Sequence, residues 1–452
     1  MLRSGLEPVI VRQPRLFGRA ISTRVNPVLA ENEKKLKLSF RKVNSNAGGK
    51  KRKGSGNHKS FKDLIIASNF KQYLKQTEGG QTLINELLPF IDSQQDFKID
   101  EILSYPNQSL KSLYHFGSFN HNQYNEINFK PVSLSRNSTT VPILNFLKNS
   151  LNNCSINNRL IITGGKGVGK STLLTQFQSL AKSSNSIILP ISYCDSLIDG
   201  SNDFIYDQTL KLYHQPMYLT RLLNKIRKGN ELELSLLKLS KDVKISNIIF
   251  EANKTSLNEF LLKSKSMKLE FKFKFFEILI EELSLQKKYP VYLTVDNFSA
   301  FASSPFTKYR NVNNKPIYFT DFSIAKNIID FASGKKIFNR GGIVLSTSGI
   351  HRSNDTLNVL LKKIEPDPYA PFYKFDPKLA SILLENNGLK ELNVPKFNKD
   401  ELKIMLNYFC TNEIIEHEND LQDIEKLLNS KYILSGNGNP SEFIKSCVVN
   451  YH

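Results

Sequence analysis

Residues 164–171 read GGKGVGKS and fit the pattern G-x-x-x-x-G-K-[ST]. The apolar residues 160–162 precede them and TLLTQF follows, which predicts a strand, a glycine loop and a helix. Such a loop turns backbone N–H groups toward phosphate, and the helix adds its unpaired N–H groups and positive dipole end. The motif predicts an α/β fold with a P-loop NTPase core and a parallel sheet, similar to AAA+ and STAND proteins.

The same motif predicts a purine nucleotide (GTP/GDP or ATP) and Mg²⁺ as cofactors. Lys170 is expected to reach the β- and γ-phosphates, and the Ser171 hydroxyl to bind Mg²⁺. The candidate cofactor-binding residues are Gly164, Gly165, Lys166, Gly167, Val168, Gly169, Lys170, Ser171, Thr172 and Asp296.

Asp296 closes a second candidate strand, 289–296, in the segment YPVYLTVDNF. A carboxylate at the carboxyl end of a parallel strand beside the loop is what a Walker B strand needs to hold Mg²⁺ through water. Many hydrolysing ATPases place a Glu next, whereas this chain has Asn297. An amide can orient water but cannot accept its proton. We therefore expect slow or absent hydrolysis, and we assign no catalytic residue.

Two further apolar runs, 187–192 and 342–348, predict buried strands. The second run ends in Thr347 and Ser348, which are candidates for a γ-phosphate sensor. Arg340 and Arg352 flank it, and each is interpreted as a surface charge in preference to an arginine finger.

Helical patterns surround these strands. Upstream of the loop, Arg136, Val141 and Pro142 are candidates for lining the base pocket. Two long helical insertions are predicted at about 206–239 and 257–288. The second contains FKFKFFEILIEEL, whose alternating aromatics and lysines favour a packed helix over a nucleic-acid platform.

The basic charge is concentrated at the N-terminus. The formal net charge is +20, and residues 1–62 hold 16 Lys or Arg against three acids. Residues 1–25 contain five Arg and one acid, which favours a mitochondrial transit peptide over a merely basic tail. Residues 26–60 include KKRK at 50–53 and predict a basic arm that is disordered or binds RNA. A nuclear localisation signal is the alternative for this cluster.

The predicted organisation continues with a helical N-terminal extension at 61–130, a P-loop nucleotide-binding domain at 131–360 and a helical C-terminal lid at 361–452. No apolar stretch is long enough to predict a membrane span. The four cysteines show neither paired nor metal-ligand spacing.

Together, GGKGVGKS, VYLTVDNF, IVLSTSG, DPYAPF and the terminal SGNGNPSEFIKSC resemble the death-associated protein 3 family. Members are P-loop proteins of the mitochondrial small ribosomal subunit, and this chain resembles a fungal member. The resemblance implies a structural protein of the mitochondrial matrix ribosome. Its implied partners are small-subunit rRNA, neighbouring mitochondrial ribosomal proteins and, across the intersubunit face, the large subunit. The nucleotide is then mainly a structural cofactor.

Only the loop, residues 164–172, and Asp296 carry over from the family residue by residue. The chain lacks an N-K-x-D motif for choosing guanine, so the base remains open. The main alternative is an AAA+/STAND-type ATPase that remodels nucleic acid or protein assemblies. Asn297 disfavours it. The last predicted helix also lacks a clear sensor arginine, since Lys445 is its one basic residue. A nucleic-acid module with a degenerate loop is a third possibility.

Overall fold

The structure is a computed structural model that describes residues 99–448 except 121, 122, 126, 127, 129, 352, 353, 413 and 416–420. The predicted transit peptide, the basic arm and residues 61–98 of the predicted helical extension lie outside the described residues.

Thirteen strands and fourteen α-helices are described. The strands are β1 (Ile102–Ser104), β2 (Val132–Leu134), β3 (Arg159–Gly164), β4 (Ile187–Ile191), β5 (Ile205–Asp207), β6 (Leu212–His214), β7 (Val243–Ile245), β8 (Ile248–Phe250), β9 (Val291–Val295), β10 (Phe306–Arg310), β11 (Pro316–Tyr318), β12 (Gly341–Ser346) and β13 (Lys390–Val394). The helices are α1 (Asn107–Phe116), α2 (Thr140–Ser150), α3 (Lys170–Ser183), α4 (Pro216–Gly229), α5 (Glu231–Leu236), α6 (Leu257–Ser264), α7 (Lys272–Leu285), α8 (Ser299–Ser303), α9 (Ser323–Ser333), α10 (Asp355–Leu360), α11 (Pro377–Leu384), α12 (Lys399–Thr411), α13 (Leu421–Leu434) and α14 (Pro440–Val448).

A five-stranded parallel sheet with the order β13-β3-β12-β9-β4 forms the centre of the fold. The loop strand β3 pairs with β12, where Ile161 lies opposite Leu345, and β12 also pairs with β9. The strand predictions at 187–192, 289–296 and 342–348 are confirmed. Because all strands run in parallel, their carboxyl ends, including the glycine loop and Asp296, meet at one edge.

Both faces of the sheet are covered, which is why its inner strands read as continuous apolar runs. Ile162 faces a core shared with α1, α2 and α3. Its neighbour Ile161 faces the opposite core, which contains residues of α4, α7 and α9. The prediction of an α/β fold with a parallel sheet is confirmed.

The first predicted helical insertion is wrong at its start. Residues 205–214 form the antiparallel hairpin β5–β6, because the Asp207 carboxylate accepts hydrogen bonds from the backbone N–H of Thr209 (2.8 Å) and Leu210 (3.3 Å) and fixes a turn. Helix begins only at Pro216, a residue suited to the first helical turn.

The second insertion is largely helical, as predicted, with α6 and α7 inside it. Phe273, Phe275 and Phe276 of α7 are buried. The interpretation of FKFKFFEILIEEL as a packed helix is therefore confirmed.

The segment predicted to be a helical lid, 361–452, also contributes a strand. β13 pairs in parallel with β3 and is the edge strand of the central sheet. Its sequence, KELNV, is mostly polar because an edge strand exposes much of its surface, so periodicity alone does not reveal it. Helices α12 and α14 follow and share a core that includes Leu402, Leu406, Phe409 and Phe443. Within the described part of the chain, no helix is long and apolar enough to cross a membrane.

Candidate nucleotide-binding site

The glycine loop joins the end of β3 to the start of α3. Gly164 and Gly167 have φ of 141° and 77°, a region that favours glycine. A Cβ at Gly164 would lie 2.7 Å from the Val394 carbonyl oxygen, and one at Gly167 would lie 2.6 Å from Asn439 Oδ1. The loop is thus held between β13 and the N-terminus of α14, and larger residues at these positions would force the elements apart.

Lys170 is buried at the first position of α3. Its Nζ donates hydrogen bonds to the carbonyl oxygens of Gly164 (2.9 Å) and Gly165 (2.5 Å). Burial lowers the pKa of Lys170, and the charge of Asp296 opposes this. The ammonium group therefore lies within the loop, where a phosphate would meet it.

Asp296 follows the last residue of β9, and only 5% of its surface is exposed. It accepts hydrogen bonds from the backbone N–H of Asn297 (3.0 Å) and from Asn120 Nδ2 (3.3 Å). Burial raises the pKa of Asp296, while a hydrogen bond from the Ser171 hydroxyl and the charge of Lys170 oppose the rise. The structure therefore brings together the two residues predicted for Mg²⁺, Ser171 and Asp296.

Asn297 has φ of 59° and lies in a hydrogen-bonded network behind the site. Its Nδ2 donates to Asp195 Oδ2 (2.9 Å), while the other oxygen of Asp195 lies 2.6 Å from His351 Nε2. His351 Nδ1 lies 2.7 Å from the Ser299 hydroxyl, which accepts from the Ser348 N–H (2.8 Å). The network joins the ends of β9 and β12.

Burial raises the pKa of Asp195, but hydrogen bonds from His351 and Asn297 outweigh it, and the pKa is below its usual range. Asp195 is therefore held as a carboxylate, and the side-chain amide of Asn297 is committed to it. Sequence analysis did not identify Asp195 or His351, because nothing in the sequence places them near Asn297.

A cavity of about 610 Å³ lies over the glycine loop. It is lined by Asn120, Gln123, Tyr124, residues 166–172, Tyr193, Asp296, Asn297, residues 347–350, Pro440, Ser441, Glu442, Ile444 and Lys445. The structure thus brings the loop residues from Lys166 to Thr172 together with Asp296, and Thr347 and Ser348 line the same space. In the described part of the chain, the carboxylates on this lining are Asp296 and Glu442.

A smaller apolar cavity of about 100 Å³ shares several lining residues with the first, among them Tyr124, Val168 and Pro440. β2, Leu173, Phe397, Met405 and Phe409 also line it. Among the residues that the structure describes, Asn128 Oδ1 on this lining is a buried acceptor without a hydrogen-bond partner. An apolar slot with an open acceptor suits a purine ring that carries N–H donors.

Arg136, a candidate for the base pocket, lines this slot. Its guanidinium group is engaged in other contacts: Nε donates to Glu401 Oε1 (2.8 Å), and Nη1 donates to the Pro395 carbonyl (3.0 Å). Val141 and Pro142 are not among the residues that line the slot, since they lie on α2. β2 supplies the upstream wall in their place.

The segment before β2 contributes residues that sequence analysis missed. Asn120, Gln123 and Tyr124 line the main cavity. The segment is fastened to α3 because Thr175 Oγ1 donates to the Ser118 carbonyl at 3.0 Å. Gln123 Nε2, within the segment, donates to the same carbonyl at 2.9 Å. The only sequence signal here is a run rich in Asn and Gln.

Helix α14 caps the site. Asn439 Nδ2 donates to the Lys166 carbonyl (2.8 Å), and the Ser441 N–H donates to the Gly167 carbonyl (3.1 Å). Asn439 Oδ1 accepts from the Ser441 N–H (3.1 Å), as a helix N-cap does. The side chain of Asn439 thus caps α14 and also holds the glycine loop.

The predicted arginine candidates lie elsewhere. Arg340 precedes β12, at the end of the sheet away from the loop, and donates to the carbonyls of Leu151 (2.9 Å) and Lys287 (3.0 Å). This position agrees with the interpretation of Arg340 as a surface charge and not as an arginine finger. Arg352 lies outside the described residues.

The family model described as "Mitochondrial ribosomal death-associated protein 3" matches residues 133–446. The chain is 27% identical over 362 residues to the small ribosomal subunit protein mS29 of Schizosaccharomyces pombe, covering 77% of this chain and 71% of that protein. It is 22% identical over 307 residues to the protein of the same name from Neurospora crassa, covering 64% of this chain and 62% of the relative.

Two solved structures resemble the fold distantly. The Walker-type ATPase paby2304 of Pyrococcus abyssi has a TM-score of 0.32 and 15% identity over 64% of this chain and 61% of that chain. The ORC2 protein of Aeropyrum pernix, solved with ADPNP and ADP, has a TM-score of 0.27 and 12% identity over 68% and 64%. The assignment to a family therefore comes from the sequence match.

Proposed function

The chain belongs to the mitochondrial ribosomal death-associated protein 3 family, and on this premise we propose that it is a structural constituent of the mitochondrial small ribosomal subunit. The family match and the two fungal relatives confirm the predicted family and the predicted mitochondrial location. We propose in addition that the chain contacts small-subunit rRNA and neighbouring ribosomal proteins, and that it holds a purine nucleotide with Mg²⁺ as a structural cofactor.

The observation that carries the nucleotide proposal is the convergence of the loop, Lys170, Ser171 and Asp296 on one cavity of about 610 Å³. The loop N–H groups and Lys170 would hold the phosphates, and Ser171 and Asp296 would hold Mg²⁺ and its water. The apolar slot next to Val168 would take the base. Bound Mg²⁺ would neutralise phosphate charge and remove the penalty of the buried Asp296 carboxylate.

A static role suits these residues better than turnover. The position after Asp296 carries Asn297, whose side-chain amide is bound to Asp195 at 2.9 Å. The remaining described carboxylate on the cavity, Glu442, pairs with Lys445 at 2.7 Å. No described side chain on the lining is thus set as a general base. A nucleotide that binds only the folded state stabilises it, by about 4 kcal/mol at a thousand times Kd.

Sedimentation of the tagged chain from mitochondrial lysate tests the ribosomal role. We expect the chain to sediment with the small ribosomal subunit, and its absence from that fraction would refute the role. Thermal unfolding with and without Mg²⁺ and GTP or ATP tests the cofactor. We expect Mg²⁺–nucleotide to raise the melting midpoint of the wild type and to leave that of Lys170→Ala unchanged. An unchanged midpoint for the wild type would refute nucleotide binding and favour a degenerate loop.

The alternative function, an ATPase that remodels nucleic acid or protein assemblies, shares the loop and Asp296. A turnover assay separates the two. A turnover number of about 1 s⁻¹ or more, the lower end of ordinary enzyme rates, would establish the alternative. We expect the nucleotide to remain bound over many minutes without release of phosphate.

A further inference from the structure

The hairpin β10–β11 presents a basic and aromatic face to solvent. Along β10 the residues alternate: Phe306, Lys308 and Arg310 are exposed, whereas Thr307 and Tyr309 are buried. β11 pairs antiparallel with β10, placing Tyr318 opposite Phe306. We call this face, with the tip at 311–315, the basic hairpin.

One half of the basic hairpin is an aromatic cluster. The Phe306 ring lies 5.8 Å from that of Tyr318 and 5.2 Å from that of Phe372. About half of Phe306 is exposed (49%), so its ring is fixed by packing and still accessible. An aromatic ring held in this way can stack on a base without further ordering.

The other half is cationic. Residues 305–319 contain Lys308, Arg310 and Lys315 and no acid. Within the described part of the chain, none of the three cations has a carboxylate at ion-pair distance. Val312 at the tip is fully exposed. The hairpin therefore offers uncompensated positive charge beside an accessible ring.

We propose that the basic hairpin is an RNA-binding surface, which takes a single-stranded or looped segment with phosphates on Lys308, Arg310 and Lys315 and a base against Phe306. The inference rests on the proposed ribosomal function for the identity of the RNA. Fixed aromatics interleaved with cations are how proteins bind unpaired RNA. The chain's own residues 1–62, with 16 Lys or Arg against three acids, have the wrong charge to cover this face.

A binding assay with a mixed-sequence single-stranded RNA as the probe measures the charge contribution. Each neutralised phosphate contributes about 0.7 to the slope of log K against log salt for single strands. The triple variant Lys308→Gln, Arg310→Gln, Lys315→Gln of the full chain should therefore flatten the slope by about 2. The matched control, Lys238→Gln, Lys241→Gln, Lys244→Gln, removes the same charge near the hairpin β7–β8 and should leave the slope closer to wild type.

The ring is tested separately. Phe306→Leu keeps an apolar side chain against Phe372 but removes the stacking surface, and it should weaken RNA binding about tenfold with an unchanged salt slope. The proposal is wrong if the triple variant matches its lysine control in affinity and slope and Phe306→Leu binds RNA as tightly as the wild type.

Site-directed photocrosslinking identifies the partner inside mitochondria. A photoreactive amino acid replaces Val312 at the tip, with Ile249 on β8, an exposed residue (64%), as the control position. We expect the Val312 position to crosslink to small-subunit rRNA. Crosslinks to protein alone, or none from chains that sediment with the small subunit, would overturn the RNA surface and leave the ribosomal role intact. Chains that fail to sediment would instead overturn the ribosomal role.

Discussion

The side-chain amide of Asn439 in helix α14 donates a hydrogen bond of 2.8 Å to the carbonyl of Lys166 in the glycine loop. The same side chain caps α14 through its oxygen. One residue thus joins the helix that covers the cavity to the loop that forms its floor. Helix α14 and the glycine loop are therefore coupled directly through this side chain.

Asn439→Ala should therefore reduce both stability and nucleotide binding. Losing the cap and the loop contact should lower the free energy of unfolding by about 1–2 kcal/mol and nucleotide affinity by about tenfold. Calorimetric titration and urea unfolding measure the two. The control is Ser256→Ala, which removes the cap of α6 and should cost about 1 kcal/mol with unchanged affinity. Equal affinity for both variants would contradict the coupling.

Asp296→Asn should stabilise the nucleotide-free protein at neutral pH. Burial raises the pKa of Asp296, so the folded state binds more protons than the unfolded state as pH rises from the ordinary aspartate range through the raised pKa. Stability of the empty protein should fall across that window, while affinity for Mg²⁺–nucleotide should rise. The variant should lose both pH dependences. Melting midpoints against pH, with and without Mg²⁺–nucleotide, check this, and a destabilised variant would count against it.

Arg136→Met should destabilise the fold around the apolar slot. Arg136 and Glu401 form a buried pair at 2.8 Å, and removing one partner of such a pair costs about 3–5 kcal/mol. The double variant with Glu401→Met should recover most of the loss. For comparison, Lys363→Met breaks the partly exposed pair with Glu391 and should cost about 1 kcal/mol or less. Urea denaturation ranks the variants, and an equal loss for the single and double variants would contradict the pairing.

Gly349→Ala should separate the turn after β12 from the glycine loop. A Cβ at Gly349 would lie 2.4 Å from Lys166 Cα, whereas one at Gly165 would make an ordinary 3.6 Å contact with Val168. The crowded substitution should cost about 1–3 kcal/mol and more than about tenfold in nucleotide affinity. Gly165→Ala should remain within about threefold. Nucleotide titration of the two variants side by side tests this. A weaker affinity for Gly165→Ala than for Gly349→Ala would contradict close contact between the turn and the loop.

Sequence predicted the parts of this site that local chemistry dictates. The glycine spacing pointed to the loop, and an apolar run ending in a carboxylate pointed to Asp296. Both patterns are readable because each is formed by residues that are consecutive in the chain. The covered strands β4, β9 and β12 were readable for the same reason, since burial on both faces requires an unbroken apolar run.

The missed parts depend on residues far apart in the chain. β13 is a polar edge strand, and Asn120 reaches Asp296 from the segment before β2. The prediction that Arg136, Val141 and Pro142 line a base pocket relied on nearness in sequence. The apolar slot beside Val168 is lined by Arg136, by β2 and by residues of the C-terminal helices, which only the fold brings together.

The edge strand β13 gives the site an additional property. Val394 closes against Gly164 from a position 230 residues later in the chain, and Asn439 closes against Gly167 from later still. Contacts of such long sequence separation depend on the rest of the sheet, because closing the intervening chain costs entropy that other contacts must offset. A nucleotide in this cavity would therefore report on the integrity of the entire fold, and a substitution in a distant core could present itself as a nucleotide-binding defect.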